Sequence, residues 1–413
     1  MEKIAIIGAG ISGLTVANEL KSRYDVRVFE KEGTPGGLIR CRRVNGSLFH
    51  MCGGHVFNSK RDDVLKWFWS RFDREEEFVK SDRNSVVHMP DGNVIPYPIE
   101  NHMYLFSSDI QNAFIDDLLS MSDQDVNPDN FEEFLKSRFG KTLYELYFRP
   151  YNEKVWRRPL SEVPLSWLEG KLPMPSSREM IFNNMNHIEE KSFVHSSFWY
   201  EKMNGSQYIA DRLAEGLDIV YGADVTSIEK TGNKWVLCGQ EFDKVVFCGN
   251  VKNMAKMVKG VDLEWYAADI KALEYHGTTA VFCEIDANPY SWIYQPSRRH
   301  QSHRIICTGN FSKSNNVELP NGRITATIEF TDAVSKEEIL DNLKRIPLHP
   351  KYLDHEYNLY TYPIQNASTR IMIRNLKKTL APYGFFFTGR FADWEYYNMD
   401  MAVGAALDMC KMI

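Results

Sequence analysis

Three glycines at positions 8, 10 and 13, an acid at Glu30 and the pair Gly36-Gly37 have the spacing to hold a dinucleotide. Gly8 and Gly10 make a turn that lets backbone approach a pyrophosphate, and Gly13 lets a helix lie close on a strand. Ile11 and Ser12 fall in the first turn of that helix, where unsatisfied N–H groups face the phosphates. Glu30 offers a carboxylate to ribose hydroxyls and would repel a 2′-phosphate, which disfavours NADP. A second chemistry is suggested by Tyr151-Asn152-Glu153-Lys154-Val155-Trp156-Arg157-Arg158-Pro159-Leu160, followed by Trp167 and Leu172-Pro173-Met174-Pro175. Aromatics beside adjacent arginines are either a helix end with solvated charges or a wall that stacks a base and pairs a phosphate.

The elements needed to position the first set are in register. Ile4-Ala5-Ile6-Ile7 predicts a buried parallel strand, residues 14–20 a helix, and residues 26–29 a second strand ending at Glu30. Beyond them, Gly53-Gly54-His55-Val56-Phe57 lets backbone lie close to something flat or charged, with His55 placed just past the nucleotide motif. Residues 62–72 predict a helix, and 85–89 and 94–98 a hairpin about Pro90-Asp91-Gly92-Asn93. From 101 to 190 the spacing turns helical, as at Phe131, Phe134, Leu135, Phe139, Leu143, Leu146 and Tyr147. Strand patterns return near Ser192-Phe193-Val194-His195. A helix over 207–215 and a strand region over 219–228 follow, and then a meander through 235–237 and 244–248 that rejoins the first sheet. Segments 279–285, 304–308 and 324–330 predict a second sheet. The basic loop Ser297-Arg298-Arg299-His300 between two of them is either solvated or ligand-binding. Phe385-Phe386-Phe387 then runs into Thr388-Gly389-Arg390, and a last helix begins near Met401.

At 413 residues the chain has room for two or three domains. Its net charge of −6 argues against a general nucleic-acid binder. Seven cysteines without a CxxC pair argue against disulfides and a zinc site, and no metal is expected. A strand at the very N-terminus leaves no room for a signal peptide, and no apolar run reaches membrane-span length, so a cytoplasmic protein is expected. The expected architecture is α/β. A Rossmann-type unit is assembled from 1–100, 200–255 and 380–413; a helical cap covers 101–190; and a mainly antiparallel sheet takes 191–199 and 256–379.

Gly36-Gly37-Leu38 after Glu30-Lys31 resembles the glycine pair of FAD proteins in the glutathione-reductase and amine-oxidase superfamily, so the cofactor is read as FAD. Over nearly its whole length the chain resembles the UDP-galactopyranose mutase family. The resemblance rests on the N-terminal motif, Gly54-His55-Val56-Phe57, the segment from Tyr151 to Arg158, Ala272-Leu273-Glu274-Tyr275, Tyr362-Pro363-Ile364, and Gly389-Arg390 through Tyr396-Tyr397-Asn398-Met399-Asp400. It implies that Arg390 lies against the FAD pyrophosphate beside Gly389, that Val225 contacts the adenine, and that His55 and Gly54 sit beside the isoalloxazine. Asn398, Met399 and Asp400 would open a helix facing the flavin pyrimidine edge, where reduced flavin is negative.

The resemblance further implies that reduced FAD attacks the anomeric carbon of a nucleotide sugar through N5, expels the nucleoside diphosphate, and returns a ring-contracted isomer without net oxidation. An external reductant such as NAD(P)H would prime the flavin. The substrate is expected to be UDP-linked, the product to serve cell-surface polysaccharide synthesis, and the protein to form a homodimer. Arg158 and Tyr362 match a family arginine and tyrosine for the diphosphate, with His55 as the third catalytic position. Tyr151, Trp156, Arg157 and Arg298 are the further substrate-site candidates. Two departures stand out. Trp292 falls where the family has a second arginine, and Phe330 where it has a tyrosine, so either Arg298, Arg299, Arg304 or Arg157 fills in or the substrate differs. The competing reading is a flavin oxidoreductase of the amine or protoporphyrinogen oxidase type.

Overall fold

The computed structural model describes residues 1–121, 128–165, 175–188, 196–316, 319, 322–366 and 368–413. Trp167, Leu172-Pro173-Met174 and the strand pattern at 192–195 lie outside them.

Five parallel strands form the first sheet, in the order Phe385–Phe387, Lys244–Phe247, Lys3–Ile7, Asp25–Glu30, Asp218–Tyr221. Alternation along Lys3–Ile7 sorts its side chains onto two cores. Ile4 and Ile6 pack with Leu14 and Val16 of the first helix, Ile11–Leu20, and with Val403 and Ala406 of the last helix, Met399–Cys410. Ala5 and Ile7 pack with Trp235, Phe242 and Leu376. Burial on both faces is why the strand reads as an unbroken apolar run. The expected meander is Ile228–Thr231, Lys234–Leu237 and Gln240–Phe242, after which Lys244–Phe247 enters the first sheet. Residues 223–227, expected as strand about Val225, carry none. Val225 is buried in an irregular segment tied to the second strand by the Ala223 amide, which donates to the Glu30 carbonyl at 2.9 Å.

The second sheet has seven strands, in the order Lys351–Ile364, Glu274–Asp286, Arg323–Thr331, Arg304–Ile306, Trp292–Tyr294, Ser85–His88, Val94–Pro96. Every pairing is antiparallel except Trp292–Tyr294 with Ser85–His88. Residues 85–96 therefore belong to this sheet, not to the nucleotide unit where the sequence bounds put them. Turn chemistry identifies a hairpin but carries no information about which distant strand edge receives it. Likewise Ser197–Glu201 pairs with Phe78–Asp82 in a separate two-stranded sheet rather than joining the second sheet.

One face of the second sheet is apolar, with Val281, Ile293, Ile305, Ile328 and Phe330 packed on Ile339 and Leu343. The other face carries Trp292, Tyr294, Arg304 and Glu329. Helices Ser108–Ser120, Phe131–Leu143, Arg149–Trp156 and Ser177–Asn186 build the insertion, and Phe131, Leu135, Phe139 and Leu143 fill its core as their spacing predicts. All seven cysteines are free. Among the described residues no helix is long and apolar enough to cross a membrane, and no cluster of side chains could hold a metal.

Candidate functional site

The turn between the first strand and helix is built for backbone, not side chains. Gly8 has φ +101°, and a Cβ on Gly13 would lie 1.9 Å from the Gly8 carbonyl oxygen, so helix and strand could not approach. A Cβ on Gly10 would meet nothing nearer than the Gly37 Cα at 3.9 Å. That open front, together with a first helix that has no side-chain cap at Gly10, leaves the amides of its first turn for an anionic ligand. Gly36 closes the cradle: its amide donates to the Ala9 carbonyl at 2.8 Å, and its φ of +121° excludes most side chains. Glu30 is buried, and its carboxylate accepts from the Ala9 amide at 2.6 Å and the Glu32 amide at 2.9 Å. Two amides thus fix its orientation while further lone pairs remain for ribose hydroxyls. Lys31 stands in solvent, 3.6 Å from Glu32.

The last helix brings the second half of the cradle. It also starts without a side-chain cap, at Asn398, and Met399 and Asp400 in its first turn are buried. Burial raises the Asp400 carboxyl above its ordinary range. Arg390 lies over the Tyr396 ring at 4.0 Å and donates to the Thr361 and Tyr397 carbonyls, the latter at 3.1 Å. Its Nε is buried with no protein partner among the described residues, which suits a phosphate oxygen. His55 joins two loops by donating from Nε2 to the Leu38 carbonyl at 2.9 Å. Burial and the Arg390 charge pull its pKa down to about 4, so the ring is neutral at pH 7. Glycine cradle, uncapped helices and the Arg390 donor all fit FAD.

On the sheet face opposite the apolar core, Glu329, Arg304 and Tyr294 are cross-strand partners in one row. Glu329 is 1% exposed and Arg304 20% exposed at the side chain. Arg304 Nε donates to Glu329, and its Nη2 donates to the Tyr362 hydroxyl at 3.2 Å. Burial alone would raise the Glu329 carboxyl, but Arg304 and His303 together hold it well below the usual range. The other Glu329 oxygen accepts from the Gly53 amide at 2.9 Å, and Tyr362 stacks on Tyr396 at 5.2 Å beneath Arg390. One polar network therefore runs from the loop beside His55 to the centre of the second sheet.

Tyr151 meets Tyr294 edge to face at 5.6 Å. It is carried by Arg149–Trp156, whose C-terminal turn is clamped to the second sheet and its loops. Lys154 donates to the Gln295 and Ser302 carbonyls at 2.8 Å each, His276 Nε2 lies 2.9 Å from the Trp156 carbonyl, and Arg298 pairs with Glu153 at 3.0 Å.

The candidates for the substrate side separate into two groups. Tyr362 and Tyr151 reach the network. Arg158 instead pairs with the exposed Glu274 at 2.9 Å, and Arg157 is an exposed left-handed cap at φ 54°. The Arg298 side chain is 62% exposed, and Trp156 is buried in the cap core. Phe330 is corrected outright: it sits in the apolar core on the far face, because neighbours along a strand point opposite ways and Glu329 takes the inward position. Trp292 packs on Phe198 and Phe311, and a guanidinium does stand at its ring, that of Arg83 at 4.8 Å. Glu329, Tyr294 and Arg83 are not singled out by the sequence, Tyr396 appears there only inside the last family motif without a role, and Arg304 is only one of four alternatives. The available signal was an acid and an arginine inside otherwise apolar strands, a cost the fold bears only when the two pair.

Comparison with known proteins agrees with this architecture. The family profile for flavin containing amine oxidoreductase matches residues 11–411. A Klebsiella pneumoniae protein named "Probable UDP-galactopyranose mutase" is 30% identical over 182 residues, which is 42% of this chain and 45% of that relative, so less than half of it is spanned. The dTDP-fucopyranose mutase of Escherichia coli is 27% identical over 424 residues, 100% of this chain and 98% of its own length. A crystal structure of reduced UDP-galactopyranose mutase is similar in fold, with TM-score 0.86 at 22% identity, covering 100% of this chain and 95% of that one. With a match running from the first helix to the last, the chain belongs to the flavin containing amine oxidoreductase family, grouping there with the nucleotide-sugar mutases, and is a flavoprotein.

Proposed function

We propose that this protein is an isomerase that uses reduced FAD to interconvert pyranose and furanose forms of a UDP- or dTDP-linked hexose. The observation that carries the reading is the Glu329–Arg304–Tyr362 network, which sets a cation between a tyrosine wall and the flavin cradle. When bound, reduced FAD supplies an electron-rich N5 able to attack an anomeric carbon. Such chemistry asks the protein mainly to grip a leaving diphosphate and hold the sugar in place. Positioning of this kind supplies on the order of 7–11 kcal/mol. Arg304 and the Tyr362 hydroxyl supply donors for the diphosphate, and Tyr151 and Tyr294 offer ring faces for the base. Neutral His55, its Nε2 proton committed to the Leu38 carbonyl, is a positioning group rather than a general acid at this nitrogen. Both relatives are named as mutases of nucleotide-linked pyranoses, one UDP and one dTDP, which supports the substrate class.

The test is anaerobic incubation of dithionite-reduced protein with a panel of UDP- and dTDP-hexoses, with products separated by anion-exchange chromatography. A new isomer formed by reduced but not oxidised protein is expected, and NAD(P)H should replace dithionite. Oxygen consumption driven by an amine, with no isomer from any sugar, would establish the oxidase reading instead.

A further inference from the structure

Arg83 lies just ahead of strand Ser85–His88, outside every motif considered above. Its guanidinium is held on three sides. It stacks over Trp292 at 4.8 Å, Nε donates to the Ser85 hydroxyl at 2.7 Å, and Nη2 donates to the Tyr294 hydroxyl at 2.5 Å. None of these partners is an acid, and no carboxylate lies within ion-pair range among the described residues. Nη1, with two N–H groups, has no protein partner among them either. A half-buried cation with its plane and rotation both set, and with donors left over, is preorganised for an outside anion.

Its place in the sheet says which anion. Tyr294, which receives the Arg83 bond, is the cross-strand neighbour of Arg304, and its ring faces Tyr97 at 4.9 Å and Tyr151 at 5.6 Å. Arg304 is matched by Glu329, whose other oxygen holds the Gly53 amide in the loop beside His55. Arg83, on the far side of the Tyr294 hydroxyl, is matched by no carboxylate among the described residues. A ligand lying along the wall with one end at Arg304 meets its uncompensated positive charge at Arg83, which favours a group with two negative centres.

We propose that Arg83 is a substrate-binding residue that donates from Nη1 to the diphosphate of the nucleotide sugar, sharing that group with Arg304. This rests on the mutase reading. Trp292 is then its positioning platform.

Titration calorimetry of the flavin-loaded protein with UDP, dTDP, uridine and thymidine tests the assignment, using wild type, Arg83→Met and Arg83→Lys. In Arg83→Met, diphosphate affinity should fall about tenfold or more while nucleoside affinity stays within about twofold. KM for the sugar nucleotide should rise more than kcat falls. Arg83→Lys keeps the charge without the fork and should recover part of the loss. Equal losses for diphosphate and nucleoside, or none, would overturn the role. Should Arg83→Met lose flavin or melt early, Arg83→Lys decides: an affinity for diphosphate and nucleoside alike unchanged from wild type refutes the fork. If wild type isomerises the sugar but Arg83→Met binds diphosphate as tightly, only this inference falls; if wild type neither binds diphosphate nor isomerises, the mutase reading falls with it.

Discussion

A single buried carboxylate holds the polar face of the second sheet together. Glu329 takes a guanidinium, a backbone amide and the approach of His303 Nε2 at 3.6 Å into a setting that is almost dry. Removing one partner of such a pair leaves an unmatched charge, which costs more than the pair contributes when intact. Glu329→Gln should therefore lower stability by about 3 kcal/mol in urea melts. Arg304→Met should weaken nucleoside diphosphate binding by about tenfold, read by calorimetry. Lys154 is the opposite case, an amine held by two carbonyls and, among the described residues, by no acid, and burial pulls its pKa down to about 7. The unfolded chain keeps that proton up to about 10.5, so between these values the unfolded state binds more protons and stability rises with pH. The gap in stability between wild type and Lys154→Met should accordingly move in favour of wild type from pH 7 to 9, and a flat difference would show that the amine titrates elsewhere.

At the scale of elements, the nucleotide cradle depends on how closely one helix lies on one strand. The 1.9 Å approach at Gly13 is to a backbone carbonyl, which cannot swing aside as a flexible side chain can. Gly13→Ala should yield protein lacking flavin absorbance near 450 nm. Gly232, with φ +56° and nothing near a Cβ, is the control. There alanine should cost about 1 kcal/mol and leave flavin content unchanged. The clamp on Arg149–Trp156 shows the same logic from the other side. Its Lys154, Glu153 and backbone carbonyl contacts all reach residues far away in sequence, so the wall carrying Tyr151 stays in place only while the second sheet is folded.

For the whole molecule, burial of neutral histidines at the junction of the two sheets makes the fold sensitive to acid. His50 and His55 have pKa values of about 3 and about 4, mainly through burial, with His55 adding to it for His50 and Arg390 for His55. Below pH 6.5 the unfolded chain gains protons that the folded chain refuses, so stability falls with pH until the folded values are reached. Between pH 7 and 5 each ring should account for roughly 2 kcal/mol lost, visible as a drop in urea midpoint that His50→Gln reduces.

The amino-acid sequence by itself determined the dinucleotide unit, because everything that unit requires is local. Glycines at 8, 10 and 13, the apolar run before them and Glu30 after them read out turn, strand, helix and acid within a few turns of chain. It also determined the helical insertion, whose core positions follow a 3.6-residue spacing. The polar face of the second sheet was decided only in the tertiary structure. Arg304, Glu329, Tyr294 and Arg83 come from separate strands and a turn, and their meeting depends on sheet order and on which of two alternating faces points inward. A shift of one residue reverses that face, which is why Phe330 was expected where Glu329 stands. The guanidinium at Trp292 comes from the connection ahead of Ser85–His88, which no local pattern ties to that ring.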